Sequence, residues 1–180
     1  NAARLNIDPD RMFLAGDSAG AQIAGQLSNI LSNPAYASEM GITPAIARPQ
    51  LRGAILHCGP HGTDGINFDG AFGGFLTTAL WSYFGTKDFR GNRRLQQFSV
   101  TANMTAAFPP IFVSAGNADP LAPLSYELAE KAKALGVPVD TLFYSPSHQP
   151  PLGHEYQFNL DGEDGRTALE RTVAFVNANL

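Results

Sequence analysis

Three short motifs in the 180-residue chain hold the side chains needed for nucleophilic catalysis. The first is Gly-Asp-Ser-Ala-Gly at residues 16–20, which lies between an apolar run and a helical pattern. A serine on such a strand-to-helix turn is exposed in a strained backbone conformation, and the flanking glycines relieve crowding. We therefore predict Ser18 as a nucleophile and the backbone N–H of Ala19, at the positive end of the helix, as an oxyanion donor. The alternative role for Ser18 is an ordinary helix N-cap.

A nucleophilic serine needs a base, and the base needs an acid that orients it. In enzymes built around this kind of turn, the acid follows the serine in the chain and the histidine comes last. Asp119 follows the apolar run at residues 111–115 through a Gly-Asn-Ala turn, and Pro120 then bends the chain away. Catalytic groups of open α/β sheets lie just beyond the carboxyl ends of the strands. This position predicts Asp119 as the acid.

The chain offers four histidines as the base. His154 lies in a Gly-His-Glu-Tyr segment shortly before the last helical pattern, on a loop long enough to reach Ser18. His148 lies in a proline-rich loop, where we expect it to be solvated. His57 and His61 precede Asp119, so the chain order disfavours them. These considerations predict His154 as the base.

A metal site is the alternative interpretation of the two earlier histidines. His57 and His61 have Asp64 and Asp69 nearby in the chain. Their spacing matches no specific metal-binding motif, however, and polar residues at the end of a strand explain it better. We therefore predict no metal ligand in this sequence.

An alternation of strands and helices positions these candidates. Near-continuous apolar strands between helices predict a parallel sheet covered on both faces, that is, an α/β fold. The four expected strands are Arg11–Ala15, Leu51–His57, Ile111–Ala115 and Asp140–Tyr144. Three helical patterns carry apolar stripes, which we expect to face the core: Ile23, Leu27, Ile30 and Leu31; Leu124, Leu128 and Leu135; and Leu169, Val173, Val176 and Leu180.

Residues 59–110 do not fit this alternation. A stretch of this length between strands is more often a cap or lid than a plain connection. It holds an aromatic cluster that we expect to line or cover a substrate pocket: Phe68, Phe72, Phe75, Trp81, Tyr83 and Phe84.

Composition excludes several classes of protein. The formal net charge of -4 gives nucleic acid no electrostatic reason to bind. No apolar run approaches the roughly 18 residues of a transmembrane segment. The single cysteine, Cys58, excludes an internal disulfide, and the cellular compartment stays open.

The three motifs together resemble those of the bacterial hormone-sensitive-lipase-like esterases. Gly-Asp-Ser-Ala-Gly at 16–20, Asp-Pro-Leu at 119–121 and the late Gly-His at 153–154 carry the resemblance, which covers nearly the whole chain. It implies the C-terminal part of a single α/β-hydrolase domain, with strands five to eight of eight. It also implies Ser18, Asp119 and His154 as a catalytic triad, small acyl esters as substrates and no cofactor.

The sequence departs from the family pattern in ways that carry further expectations. The His-Gly-Gly-Gly motif, which supplies other oxyanion donors, does not occur in these residues, and His-Gly-Phe is replaced by His-Glu-Tyr at 154–156. The segment at 145–152 is an insertion. We expect a missing N-terminal half, or another chain, to cover the outer edge of the strand at residues 11–15. Two alternatives to an esterase remain: an amidase or peptidase of the same fold, and a catalytically silent or ligand-binding homologue.

Overall fold

The computed structural model describes residues 1–70, 72–92 and 94–180, and a parallel sheet organises them. Within these residues the sheet has four strands in the spatial order β1-β2-β3-β4. They are β1 Met12–Asp17, β2 Leu51–His57, β3 Ile111–Ala115 and β4 Val139–Phe143. Each neighbouring pair is parallel, with Asp17 opposite His57 and Ala115 opposite Phe143. The carboxyl ends of the strands therefore lie along one edge of the sheet.

Helices connect and cover the strands. They are α1 Ala2–Leu5, α2 Ala19–Ser32, α3 Pro34–Met40, α4 Gly73–Phe84, α5 Leu95–Phe98, α6 Val100–Asn103, α7 Ala122–Ala134 and α8 Glu163–Ala178. Short 3₁₀ turns lie at Arg48–Gln50 and Tyr156–Phe158. None of the helices in the described ranges is both long enough and apolar enough to span a bilayer.

The core lies on both faces of the sheet, which confirms the predicted α/β class. On one face Leu56 and Val113 pack with Leu128 of α7 and Ala24 of α2. On the other face Ile55 and Phe112 pack with Phe175 of α8. Neighbouring residues of a strand point to opposite faces, so each central strand contributes to both clusters.

Two strand boundaries differ from the prediction because the pairing partner sets them. The strand expected at Arg11–Ala15 begins at Met12 and continues through Asp17, since Gly16 and Asp17 pair with the end of β2. The strand expected at Asp140–Tyr144 begins and ends one residue earlier, in register with β3. The two central strands have the predicted bounds.

Only the second half of the apolar stripe expected on α2 is covered: Ile30 is buried and Leu31 half-buried, but the first half faces outward. Ile23 and Leu27 are 53% and 41% exposed, whereas Ala21, Ala24 and Gly25 are buried. Small residues let the helix approach its neighbours closely: a Cβ built at Gly25 would lie 2.8 Å from a methyl group of Val100. Close packing, rather than the largest apolar stripe, therefore decides which face of α2 is buried.

The apolar stripe predicted on α8 is also largely exposed, whereas the stripe predicted on α7 faces the core. On α8, Leu169 and Val173 are each 50% exposed, and Phe175 is the large buried side chain. On α7, Leu124 and Leu128 are buried as predicted, and Gly136 follows the helix in the left-handed region.

Strand β1 lies at the edge of the sheet. Within the described residues it pairs with β2 alone. The cover expected for its outer side stays a prediction. So does the assignment of residues 59–110 as a lid, although this segment does contain α4, whose buried Leu76 and Leu80 pack with aromatic residues of the same segment.

The orientation of α8 gives a stability prediction. Phe175→Ala should lower the free energy of unfolding by about 3–5 kcal/mol, because it removes a buried aromatic side chain and leaves a cavity. Leu169→Ala on the same helix should change it by no more than about 0.5 kcal/mol, because this side chain is half exposed. Urea denaturation followed by circular dichroism measures both. Equal losses, or a larger loss for Leu169→Ala, would show that the helix packs through the other stripe.

Candidate active site

Ser18 occupies the turn between β1 and α2 in a strained backbone conformation. Its φ of 53° and ψ of -120° lie in a region that residues other than glycine rarely adopt. Its backbone N–H donates to the carbonyl of His57, at 2.9 Å, which ties the turn to the end of β2. A Cβ at Gly16 would lie 2.1 Å from the carbonyl oxygen of Gly20, so the turn requires glycine at position 16. A Cβ at Gly20 would meet open space, so the expected steric role holds for Gly16 alone.

The Ser18 hydroxyl is not used as a helix cap. Its side chain makes no capping hydrogen bond, and instead its Oγ lies 2.9 Å from Nε2 of His154. Ala19 is the first residue of α2, so its backbone N–H has no acceptor within the helix. This N–H group is therefore available beside the hydroxyl.

Asp119 lies on the other side of the same imidazole. Both of its carboxylate oxygens are 3.1 Å from Nδ1 of His154. The side chain is fully buried, and Oδ1 also accepts a hydrogen bond from the backbone N–H of Leu121, at 2.8 Å. These bonds fix the carboxylate and require a proton on Nδ1, which leaves Nε2 free to accept the Ser18 proton. The three predicted residues thus form one hydrogen-bonded series.

Carboxylates around the imidazole control its charge. The hydrogen bond that His154 donates to Asp119 raises the pKa of His154 against the opposing effect of partial burial, and the charges of Asp17 and Glu155 raise it further. Burial and the nearby carboxyl of Glu155 raise the pKa of Asp17 to about 6. The site therefore favours the imidazolium form that would follow transfer of a proton from the serine.

Asn117 joins the loops of the acid and the base, a role that sequence reasoning missed. Its side-chain oxygen accepts from the N–H of Leu152 at 2.8 Å, and its side-chain nitrogen donates to the carbonyl of His148 at 3.2 Å. Ala118 N–H also donates to the Leu152 carbonyl, at 2.8 Å. The insertion at 145–152 is thus held against the turn that carries Asp119. Asparagine at a strand-end turn was the one available signal.

The other three histidines have structural surroundings. His148 is not simply solvated, as we expected: its Nε2 lies 3.1 Å from the carboxylate of Asp164, and its ring packs on Tyr144. Nδ1 of His57 lies 2.6 Å from the Ser114 hydroxyl, and burial lowers the pKa of this histidine to about 4. His61 is completely buried, and burial lowers its pKa to about 3. Among the described residues, no side-chain hydrogen bond joins these rings to Ser18 or Asp119.

The side chains that cluster here are poorly suited to bind a metal ion. In the described part of the chain, one group of potential ligands lies within 4.8 Å of one another, namely Cys58, Asp119 and His154. Two of them already bond to each other, and burial raises the pKa of the Cys58 thiol, whereas a metal requires a thiolate. The alternative set of His57 and His61 with Asp64 and Asp69 does not converge as a ligand group among these residues.

An apolar cavity of about 220 Å³ opens beside Ser18. Phe72 borders it and also packs on the imidazole of His154, with ring centroids 5.6 Å apart. The cavity is lined by Ser18, Ala19, Gln22, Ile23, Pro60, Ile66, Phe72, Phe75, Leu76, Ala79, Leu80, Tyr83, Phe98 and Leu121. Part of the aromatic cluster predicted to line a pocket (Phe72, Phe75 and Tyr83) thus does so, together with the Ile23 that α2 exposes.

A family model described as the alpha/beta hydrolase fold matches residues 1–148. The chain belongs to the α/β-hydrolase family. This confirms the resemblance that the three motifs predicted. The match includes Ser18 and Asp119 but ends before His154, so the position of His154 rests on the geometry described above. No curated protein is similar enough in sequence to be matched.

Solved structures of α/β hydrolases show the same fold. Esterase B from Lactobacillus rhamnosis superimposes with a TM-score of 0.71 at 20% identity, covering 94% of this chain and 54% of that one. An esterase from Pyrobaculum calidifontis gives 0.69 at 21%, with coverages of 99% and 55%. A fungal esterase from Rhizomucor miehei gives 0.68 at 17%, also with 99% and 55%. The chain thus spans about half the length of these enzymes.

The environments of the histidines predict a titration pattern for this chain. In ¹H–¹⁵N NMR, His154 should titrate above the ordinary value of 6.5, whereas His57 and His61 should stay neutral down to about pH 5. Asp119→Asn should lower the pKa of His154, because it removes the charge that stabilises the imidazolium. A His154 that titrates at the same pH in the variant would show that Asp119 does not govern it.

Proposed function

We propose that this chain carries the catalytic groups of a serine carboxylesterase that hydrolyses small acyl esters. One observation carries the proposal: the Ser18 hydroxyl, on a strained turn at the rim of an apolar cavity, lies within hydrogen-bond distance of an imidazole that a buried carboxylate orients. Nucleophile, base and orienting acid in this geometry are the arrangement that acyl transfer requires.

The reaction would proceed in two steps. His154 accepts the Ser18 proton through Nε2 as Oγ attacks the ester carbonyl, and Asp119 stabilises the imidazolium that forms. The imidazolium then protonates the departing alcohol, which leaves Ser18 acylated. In the second step His154 removes a proton from water as the water attacks the acyl group, and the imidazolium then returns the proton to Oγ of Ser18 as the carboxylic acid departs.

The negative charge of the tetrahedral intermediate would be held by backbone N–H groups. Ala19 supplies one such donor, at the N-terminus of a 14-residue helix whose dipole favours negative charge at that end. A single donor of this kind is typically worth about 10² to 10³ in turnover. In the proposed mechanism Ala19 is one member of the oxyanion hole, and the glycine motif of the family would add further donors.

The cavity beside Ser18 supports the proposal that the substrate carries a small acyl group. Its walls are aliphatic and aromatic side chains that offer dispersion contacts to a hydrocarbon chain and few polar groups to orient another kind of substituent. Esterase B of Lactobacillus rhamnosis has been crystallised in a form inhibited with a tributyrin phosphonate that carries C4 chains. Butyrate esters and C4 phosphonates are therefore suitable probes for this chain as well.

Substitution of the proposed triad tests the function. Ser18→Ala should lower the rate of p-nitrophenyl butyrate hydrolysis by at least about three orders of magnitude, and His154→Ala should approach this loss, since such residues act as a unit. His148→Ala is the matched control and should stay within about tenfold of the unsubstituted chain.

A fluorophosphonate should label Ser18 and leave the Ser18→Ala variant unlabelled. Hydrolysis that survives Ser18→Ala, or label at another serine, would overturn the assignment. A chain that takes up no label and hydrolyses neither acetate nor butyrate would favour the silent or ligand-binding homologue.

The cavity gives a prediction on acyl length. Ala79→Phe should lower kcat/KM for the butyrate ester about tenfold or more while changing that for acetate much less, because the added ring fills space that the longer chain needs. Thr77→Phe adds the same ring to the same helix at an exposed position outside the described lining, and it is the control. Equal losses on both esters, or the same loss in the control, would place the acyl group elsewhere.

A further inference from the structure

Gln157 links the loop of the base to the ends of two strands. Its side chain is buried, and its Nε2 donates to Oδ1 of Asp17, the residue before the nucleophile. Its Oε1 accepts from the thiol of Cys58 at 3.4 Å, just beyond the end of β2. The amide nitrogen thus donates to one partner and the amide oxygen accepts from the other, so the two ends of the amide are not interchangeable. Two residues, Glu155 and Tyr156, separate it from His154.

The loop needs such an anchor because its backbone is strained. Glu155, directly after His154, has a φ of 64°, in the left-handed region that favours glycine. A residue with a Cβ stays in this region only where surrounding contacts enforce it. Glu155 is exposed, with its carboxyl near that of Asp17, and its neighbours Tyr156 and Gln157 are both buried, so they can hold the turn in place.

We infer that Gln157 is a positioning residue: by joining Asp17 and Cys58 to the turn at Tyr156–Phe158, it sets the distance between His154 and Ser18. This inference rests on the proposed function for its kinetic consequences. The Gln157 side chain forms its hydrogen bonds with Asp17 and Cys58, neither of which is a reacting group or a described residue of the cavity lining. Its effect therefore belongs in the chemical step and not in substrate binding.

The kinetic test uses one disruptive and one titratable substitution. Gln157→Leu should lower kcat about tenfold to a hundredfold with KM within about twofold, because a small displacement of a catalytic group is enough for such a loss. Gln157→Glu should be impaired at pH 8, where its carboxylate would face Asp17 and Glu155 close to His154 and accept where a donor is needed. As the pH falls, the protonated carboxyl can donate to Asp17 and accept from Cys58, so its rate relative to the unsubstituted chain should rise. Gln96→Leu, at an exposed site on α5, is the control.

A second-site variant and a spectroscopic readout separate positioning from folding and from the proposed function. Glu155→Gly relieves the left-handed turn, so it should restore part of the activity lost in Gln157→Leu. The low-field Nδ1 proton resonance of His154, which reports its bond to Asp119, should be shifted or lost in Gln157→Leu and kept in Gln96→Leu, whether or not an ester is hydrolysed.

Unchanged kcat and an unchanged resonance in Gln157→Leu would overturn the inference, as would a loss confined to KM. If no variant hydrolyses esters but the resonance responds as described, the esterase function fails and the positioning role stands.

Discussion

The site depends on one strained residue, Ser18. Its positive φ turns the chain sharply between β1 and α2 and places the hydroxyl at this turn. Strain of this kind costs about 1–3 kcal/mol and must be offset by the surrounding structure. Two features of the turn do this. The Ser18 N–H bonds to the carbonyl of His57 in the next strand, and Gly16 lets the start of α2 lie directly against the end of β1. Because the turn is fixed on both sides, the Ser18 hydroxyl keeps a constant position relative to the N-terminus of α2.

The sheet then delivers the other two groups to this point. In a parallel sheet all carboxyl ends lie on one edge, so the loops after β3 and β4 begin close to the loop after β1. Asp119 needs only a short turn to reach the imidazole. His154 is carried on a longer excursion, and that loop is held by Asn117 on one side and by Gln157 on the other. The longer the loop, the more of its geometry depends on side-chain contacts.

The contrast explains which features could be predicted from the sequence. Ser18 and Asp119 follow their strands within a few residues, so local pattern was enough to find them, and the strands themselves are apolar runs between turns. The buried faces of α2 and α8 could not be found in this way. A hydrophobic stripe predicts burial only where the neighbour can accommodate large side chains, and α2 instead packs through Ala21, Ala24 and Gly25. The contacts of Gln157 are equally nonlocal, since its partner Asp17 is 140 residues away in the chain. His154 was found from its order in the chain, but the anchors of its loop were not.

The carboxyl groups around His154 favour its imidazolium form to a degree that depends on pH. Asp119, Asp17 and Glu155 all raise the pKa of the imidazole. The pKa of Asp17 is itself raised to about 6, so this group becomes neutral as the pH falls and then contributes less to the pKa of His154. The imidazolium is therefore supported most strongly at neutral pH and above, where Asp17 is ionised. The hydrogen bond to Asp119 makes the largest contribution to the raised pKa of His154, and the burial of the imidazole lowers that pKa. In the proposed mechanism His154 accepts the serine proton and later returns one, so it must act both as a base and as an acid.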